Sequence, residues 1–163
     1  MDEFASRFDN KIDGKGRVSI PATFRAVLAK EGADDIFCYP HLDRSALEAG
    51  GVRLVEKIKG ILEGFAIDSP ERDEIASVYF GESERIKVDP DGRAVLSKRL
   101  RDHAGIGDTA VFVGLGDKFQ IWAPDAYEEF RGQARERARA HRRELGAGQR
   151  SLQGGAEAEG TRE

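Results

Sequence analysis

Cations crowd the start of the chain. Lys11, Lys15, Arg17 and Arg25 lie in or beside the stretch Asp13-Gly-Lys-Gly-Arg-Val-Ser-Ile-Pro-Ala-Thr-Phe-Arg25. Side chains of this type recognise anions: arginine can fork onto guanine O6 and N7, and lysine brings a point charge to phosphate. One carboxylate, Asp13, stands four residues before Arg17 and admits two readings. In the structural reading it accepts backbone N–H groups of its own turn and pairs with the arginine. In the other reading the loop–strand junction faces a nucleic acid. We read Asp13 as structural, and Lys15 and Arg17 as facing nucleic acid. Arg17 suits base readout, while Lys11, Lys15 and Arg25 suit phosphates; Arg25 has the alternative of turning inward to a carboxylate.

Other chemistries lack their parts. The three histidines, His41, His103 and His141, are scattered, and neither His-x-x-x-His nor Cys-x-x-Cys spacing occurs. A zinc site is therefore not expected. Gly14-Lys15 lacks the glycine spacing and following Ser or Thr of a P-loop, and Gly114 and Gly116 lack the third glycine of a dinucleotide fingerprint. Asp89-Pro-Asp-Gly92 begins like a calcium loop without its remaining ligands. The expectation is a protein with no catalytic residues, no metal and no cofactor.

The cationic stretch has a second copy, Asp89-Pro-Asp-Gly-Arg-Ala-Val-Leu-Ser-Lys-Arg-Leu-Arg101. A shift of 76 (89 minus 13) lays Asp13 on Asp89, Gly16 on Gly92, Arg17 on Arg93 and Arg25 on Arg101, and the apolar positions follow. An internal repeat constrains the whole architecture. We read Asp13, Gly16, Asp89, Gly92 and Arg93 as the structural turn motif. Pro90 and Asp91 replace Gly14 and Lys15 in the second copy. An aspartate facing phosphate is repelled, so the second unit should contribute less to nucleic-acid contact.

The paired Asp-x-x-Gly-Arg turn, short strand and immediate helix ending in Arg resembles the MraZ family. These are bacterial transcriptional regulators with two SpoVT-AbrB-like domains. The resemblance covers roughly residues 4–130 and departs from the pattern where Ser97 takes the place of Pro21. It implies an α+β fold with a mostly β core. Two tandem AbrB-like swapped-hairpin units would pack with internal pseudo-twofold symmetry, short helices at the edge. It implies ring-like homo-oligomers that bind double-stranded DNA at short G-rich direct repeats upstream of their own operon, the division and cell-wall gene cluster.

Bulk properties bound the rest. The chain has 163 residues, 34% of them charged, and a net charge of −4. The total weakens a nucleic-acid reading, but such contact depends on local surface. Bases crowd the first repeat and Arg131 to Arg143, while acids crowd Glu63 to Glu84. No apolar run approaches the ~18 residues of a membrane span, and no signal-peptide pattern opens the chain. The single cysteine, Cys38, excludes an internal disulfide and reads as a small buried strand residue. Cytoplasm and nucleoid are the expected locations, with no membrane partner.

The elements follow from periodicity. Residues 1–7 have little pattern and read as frayed until Phe8. We divide the chain into a first AbrB-like domain over 7–50 and a helical acidic connector over 51–79. A second AbrB-like domain spans 80–126, an Arg-rich helix 127–145 and a disordered tail 146–163. Pro21 starts one helix, Ser97 caps its counterpart, and Ser69-Pro70 opens a connector helix. The connector's expected task is to seat one repeat against the other. Residues 40–51 read as an irregular crossing with a little strand near Ser45–Leu47. Ala110–Val113 and Phe119–Trp122 read as a hairpin around Gly114–Asp117. His103, opposite the core Val27 in the repeat, reads as a semi-buried filler. The Arg-rich helix is either a second electrostatic arm or a solvated helix end.

The function expected is sequence-specific DNA-binding transcriptional regulation through a multimeric ring. The alternative is an antitoxin-like AbrB module that binds protein through its acidic helices or tail. An enzyme with a site assembled between subunits is a third class, and it would need a bound metal or cofactor.

Overall fold

The computed structural model describes residues 2–160, with side chains as far as residue 148. Its strands are β1 (Arg7–Lys11), β2 (Arg17–Ser19), β3 (Asp35–Pro40), β4 (Ala46–Gly50), β5 (Glu84–Lys87), β6 (Arg93–Val95), β7 (Thr109–Gly114) and β8 (Phe119–Trp122). The α-helices are α1 (Ala22–Lys30), α2 (Val52–Glu63), α3 (Pro70–Ala76), α4 (Lys98–Ala104) and α5 (Pro124–Gly160), and a π turn over Ser77–Gly81 extends α3. The fold is α+β, with one large antiparallel sheet and several short helices. Six strands run in the order β1-β7-β8-β4-β3-β5, and β2 and β6 form a separate antiparallel ribbon.

Side-chain alternation explains the layers. Along β3, Ile36 and Cys38 enter the main core while Phe37 and Tyr39 point to the opposite face. The main core is closed by Phe24, Val27 and Leu28 of α1, Leu100 and Ala104 of α4, and the inward Val18 and Ala94 of the ribbon. On the other face, Leu54 and Ile58 of α2 pack with Phe37 and Tyr39, joined by Tyr79 and Phe80 of the π turn. Burying a large apolar side chain contributes ~1.5–3 kcal/mol, so these two patches fix which way each helix lies. Helix α2 and the π turn thus seat on the outer face of the sheet at β3. Both serine caps form: Ser69 Oγ accepts from Arg72 N at 3.2 Å and Ser97 Oγ from Leu100 N at 3.3 Å.

Three expectations are corrected. The N-terminal segment is held in place well before Phe8; Met1 lies outside the described residues. Phe4 is 1% exposed, packs edge-on against Phe24 at 5.4 Å between centroids, and exchanges two backbone hydrogen bonds with Gly116. An isolated phenylalanine carries no periodicity, so its partner far along the chain was invisible. Residues 40–51 are not an irregular crossing: Pro40 ends β3, and β4 pairs with both β3 and β8 at the sheet centre. The buried Glu48 broke the apolar signal of that strand. His103 is exposed on α4, its Nε2 3.1 Å from the carbonyl oxygen of Arg44. The backbone of α5 continues through 146–160, within the segment read as a tail. Residues 161–163 of that tail lie outside the described residues.

The chain divides into two compact units, one ending at Ala126 and one beginning at Tyr127. The second is α5 beyond its first turn.

Candidate nucleic-acid interface

The candidate surface is built from two copies of one turn. In the first, Asp13 Oδ1 accepts from the backbone N–H of Lys15 (2.9 Å) and Arg17 (3.0 Å), while Oδ2 accepts from Arg17 Nε (2.8 Å). In the second, Asp89 Oδ1 accepts from the backbone N–H of Asp91 and of Arg93, both at 2.9 Å. Each turn closes on a glycine with left-handed backbone, Gly16 at φ 86° and Gly92 at φ 81°. A short acceptor placed before a left-handed glycine specifies this loop locally.

Asp13 is charged by its setting. The backbone N–H of Arg17 first, then its guanidinium, hold the carboxyl down at about 2 against an ordinary 3.8, with burial opposing weakly. A depressed carboxylate stabilises the fold above the unfolded value and loses that contribution as pH falls through the folded one. The window is therefore pH 4 down to 2. Asp13→Asn should unfold more easily than wild type at pH 7, and the gap should close between pH 4 and 2. Urea midpoints at pH 7, 4 and 2 check this; a constant gap would show that the charge of Asp13 is irrelevant.

The turns deliver β2 and β6 to each other. Arg17 lies opposite Val95, Val18 opposite Ala94 and Ser19 opposite Arg93. Both strands alternate exposed, buried, exposed, so Val18 and Ala94 enter the core while Arg17, Ser19, Arg93 and Val95 form one outward face. Beside it, a shallow groove is lined by Arg17, Lys87, Asp89, Arg93 and Val95. Lys15 is exposed at the tip of the first turn, and Lys11 ends β1 opposite Thr109. Asn10 Nδ2 donates to the Ser19 carbonyl at 2.7 Å and ties β1 to the ribbon.

Arg25 is placed differently. Its Nε donates to the Ile20 carbonyl at 3.2 Å, and its guanidinium lies against the α-carbon of Gly92. Arg101 does the same on the other side: Nε donates to Leu96 O at 3.0 Å beside Gly16. Each arginine therefore braces the opposite copy's turn and engages a carbonyl, with no carboxylate involved.

Arg93 departs from its counterpart. Arg17 is tied to Asp13 through Nε, whereas Asp89 bonds the backbone of Arg93 and, among the described residues, no ion pair holds the Arg93 side chain. Lys87 and Arg93 are the cations of this surface that the sequence reading did not count as nucleic-acid contacts. The available signal was their place in the repeat, outweighed there by Pro90 and Asp91.

A second polar cluster sits inside the sheet. Glu48, 2% exposed, accepts from Gln120 Nε2 and has Lys118 Nζ 2.7 Å from Oε2; Trp122 Nε1 donates to Gln120 at 2.9 Å. The lysine offsets a charge that would otherwise be costly to bury. Among the described residues no group of three or more His, Cys, Asp or Glu could hold a metal, and no helix is long and apolar enough to cross a membrane.

Comparison with known proteins adds a family to this geometry. The family model for MraZ protein, described as antitoxin-like, matches residues 79–146. A transcriptional regulator MraZ of Xanthobacter autotrophicus is 47% identical over 147 residues, covering 90% of this chain and 94% of that protein. One from Azorhizobium caulinodans is 45% identical over 148 residues, covering 91% and 94%. One from Parvibaculum lavamentivorans is 44% identical over 153 residues, covering 93% and 95%.

Proposed function

The chain belongs to the MraZ family, and from that premise we propose that it regulates transcription by binding specific double-stranded DNA through the β2–β6 ribbon. Relatives named as transcriptional regulators place it in a non-enzymatic class. The observation that carries the reading is the ribbon's outward face. A two-stranded β-ribbon fits the major groove, and Arg17 and Arg93 stand on the same side of this one.

Arg17 and Arg93 act as base readers, Lys11, Lys15 and Lys87 as phosphate contacts, and Asp13, Gly16, Asp89 and Gly92 set the turns. Arg25 adds charge at the ribbon while bracing Gly92. Residues 7–50 and 80–126 act as two interlocked AbrB-like units, with 51–79 as connector. Their internal twofold is supported by the strand order, which reads the same in either direction when β1, β3 and β4 exchange with β5, β7 and β8. The first strand of each unit pairs with the third strand of the other, as a swapped hairpin requires.

A single reader of this size binds weakly. A ring of subunits would present several readers to promoter-proximal direct repeats, and linked binding multiplies affinity when box spacing matches subunit spacing. The target is the upstream region of its own division and cell-wall operon, in the cytoplasm at the nucleoid. Fluorescence anisotropy with a duplex from upstream of its gene tests this. Tighter binding than to a scrambled duplex is expected; equal binding to both by a folded protein would remove the specific reading. No binding to either would favour the antitoxin-like protein-binding alternative.

A further inference from the structure

We propose that α5 carries a second, sequence-independent contact for the phosphates of duplex DNA, formed by Arg131, Arg135, Arg139 and Arg142. This rests on the reading of the protein as a DNA-binding regulator. From residue 131 to 143 the helix holds six arginines and one acid, Glu136, a net of plus five (6 minus 1). At 3.6 residues per turn, the four named arginines fall within an arc of about 80° and run along about 16 Å of helix. All four are exposed; Glu129, Glu136 and Glu144 lie outside that arc, and Glu128 falls within it at its N-terminal end, beside Arg131. Arg135, Arg139 and Arg142 surround a shallow cleft floored by Ala138, whose small side chain leaves room between the guanidinium groups. Among the described residues these three have no ion pair; Arg131 has only a 3.8 Å contact with Glu128.

The chemistry of the stripe selects the partner. A helix that docks in a protein groove carries apolar anchors at i, i+3, i+4 and i+7. Here the residues between Arg131 and Arg143 include no apolar side chain larger than alanine. Attraction without anchors suits a continuous polyanion, and the planar fork of arginine matches phosphate oxygens. Such contacts carry no sequence information and act through release of counterions.

The test is Arg135→Gln/Arg139→Gln/Arg142→Gln in the full chain, with the corresponding triple lysine variant, titrated against cognate and scrambled duplexes at several salt concentrations. Glutamine keeps helix propensity, and circular dichroism checks that α5 persists. Three lost contacts lower the salt slope by about 2.7, so wild-type affinity should fall about forty-fold more than the variant's between 50 and 200 mM salt. The loss should be equal on both duplexes and largely absent in the lysine variant. An unchanged slope with α5 intact overturns the proposal. So does a change in subunit number with DNA affinity preserved, which would assign the stripe to protein contact. Loss of cognate preference in the wild type would sink the ribbon reading while leaving an equal, salt-steep contact from α5 measurable.

Discussion

Gly16→Ala should destabilise the protein by roughly 3 kcal/mol or more, the sum of two separate penalties. The backbone there is left-handed at φ 86°, which costs an L-residue with a Cβ about 1–2 kcal/mol. The new Cβ would also stand 2.4 Å from the Leu96 carbonyl oxygen, part of the backbone and unable to swing aside. Relieving that clash moves Gly16 away from Leu96, whose N–H donates to the Gly16 carbonyl at 2.8 Å. That bond is one half of a reciprocal pair; the other is Ile20 N–H to the Gly92 carbonyl at 2.9 Å. The lesion therefore loosens the joint between the two copies as well as one loop. Gly92→Ala should cost less, because its Cβ meets the guanidinium of Arg25, the mobile end of a long side chain. Gly14→Ala meets nothing within 4 Å and should be tolerated. Urea unfolding of the three variants checks the order; equal costs at Gly16 and Gly14 would refute the interlocked-turn account.

The second large effect concerns DNA. Arg17→Ala should weaken binding to the cognate duplex by roughly 5- to 150-fold, the 1–3 kcal/mol of one bidentate base contact. Arg93→Ala should weaken it comparably, because the ribbon sets both guanidinium-bearing side chains on one face. The double variant should bind cognate and scrambled duplexes alike. Stability should fall more for Arg17→Ala than for Arg93→Ala, since only Arg17 is bonded through its side chain to its turn aspartate. Exposed pairs of this kind contribute little to stability, so both variants should remain folded. Anisotropy on both duplexes, with unfolding midpoints alongside, separates readout from folding. If Arg93→Ala binds like wild type while Arg17→Ala does not, the second copy is a scaffold, as its Pro90 and Asp91 suggest.

Much of this protein is written locally. Asp13 and Asp89 announce their turns because the acceptor, the N–H groups it satisfies and the left-handed glycine lie within five consecutive positions. Ser69 and Ser97 mark helix starts for the same reason: cap and capped N–H are three residues apart. The repeat is legible by comparing the chain with itself, and with it the family. None of these requires knowing what a residue touches at long range.

What lies beyond the sequence is decided by pairing across the chain. The position of Phe4 in the core depends on Gly116 and Phe24, and Glu48 is tolerable at the sheet centre because Lys118 and Gln120 arrive from β8 and its loop. The same holds for the candidate site. Arg17 and Arg93 are 76 positions apart (93 minus 17), and nothing in either neighbourhood says that β2 seeks β6 rather than a strand of its own unit. That choice follows from packing Val18 and Ala94 together over one core and from the two reciprocal bonds at Gly16 and Gly92. Two copies of a turn, and the cations beside them, can be read along the chain without any structure. The tertiary structure put Arg17 and Arg93 on one ribbon, because strand register depends on burying both inner faces at once, and local preference cannot encode that.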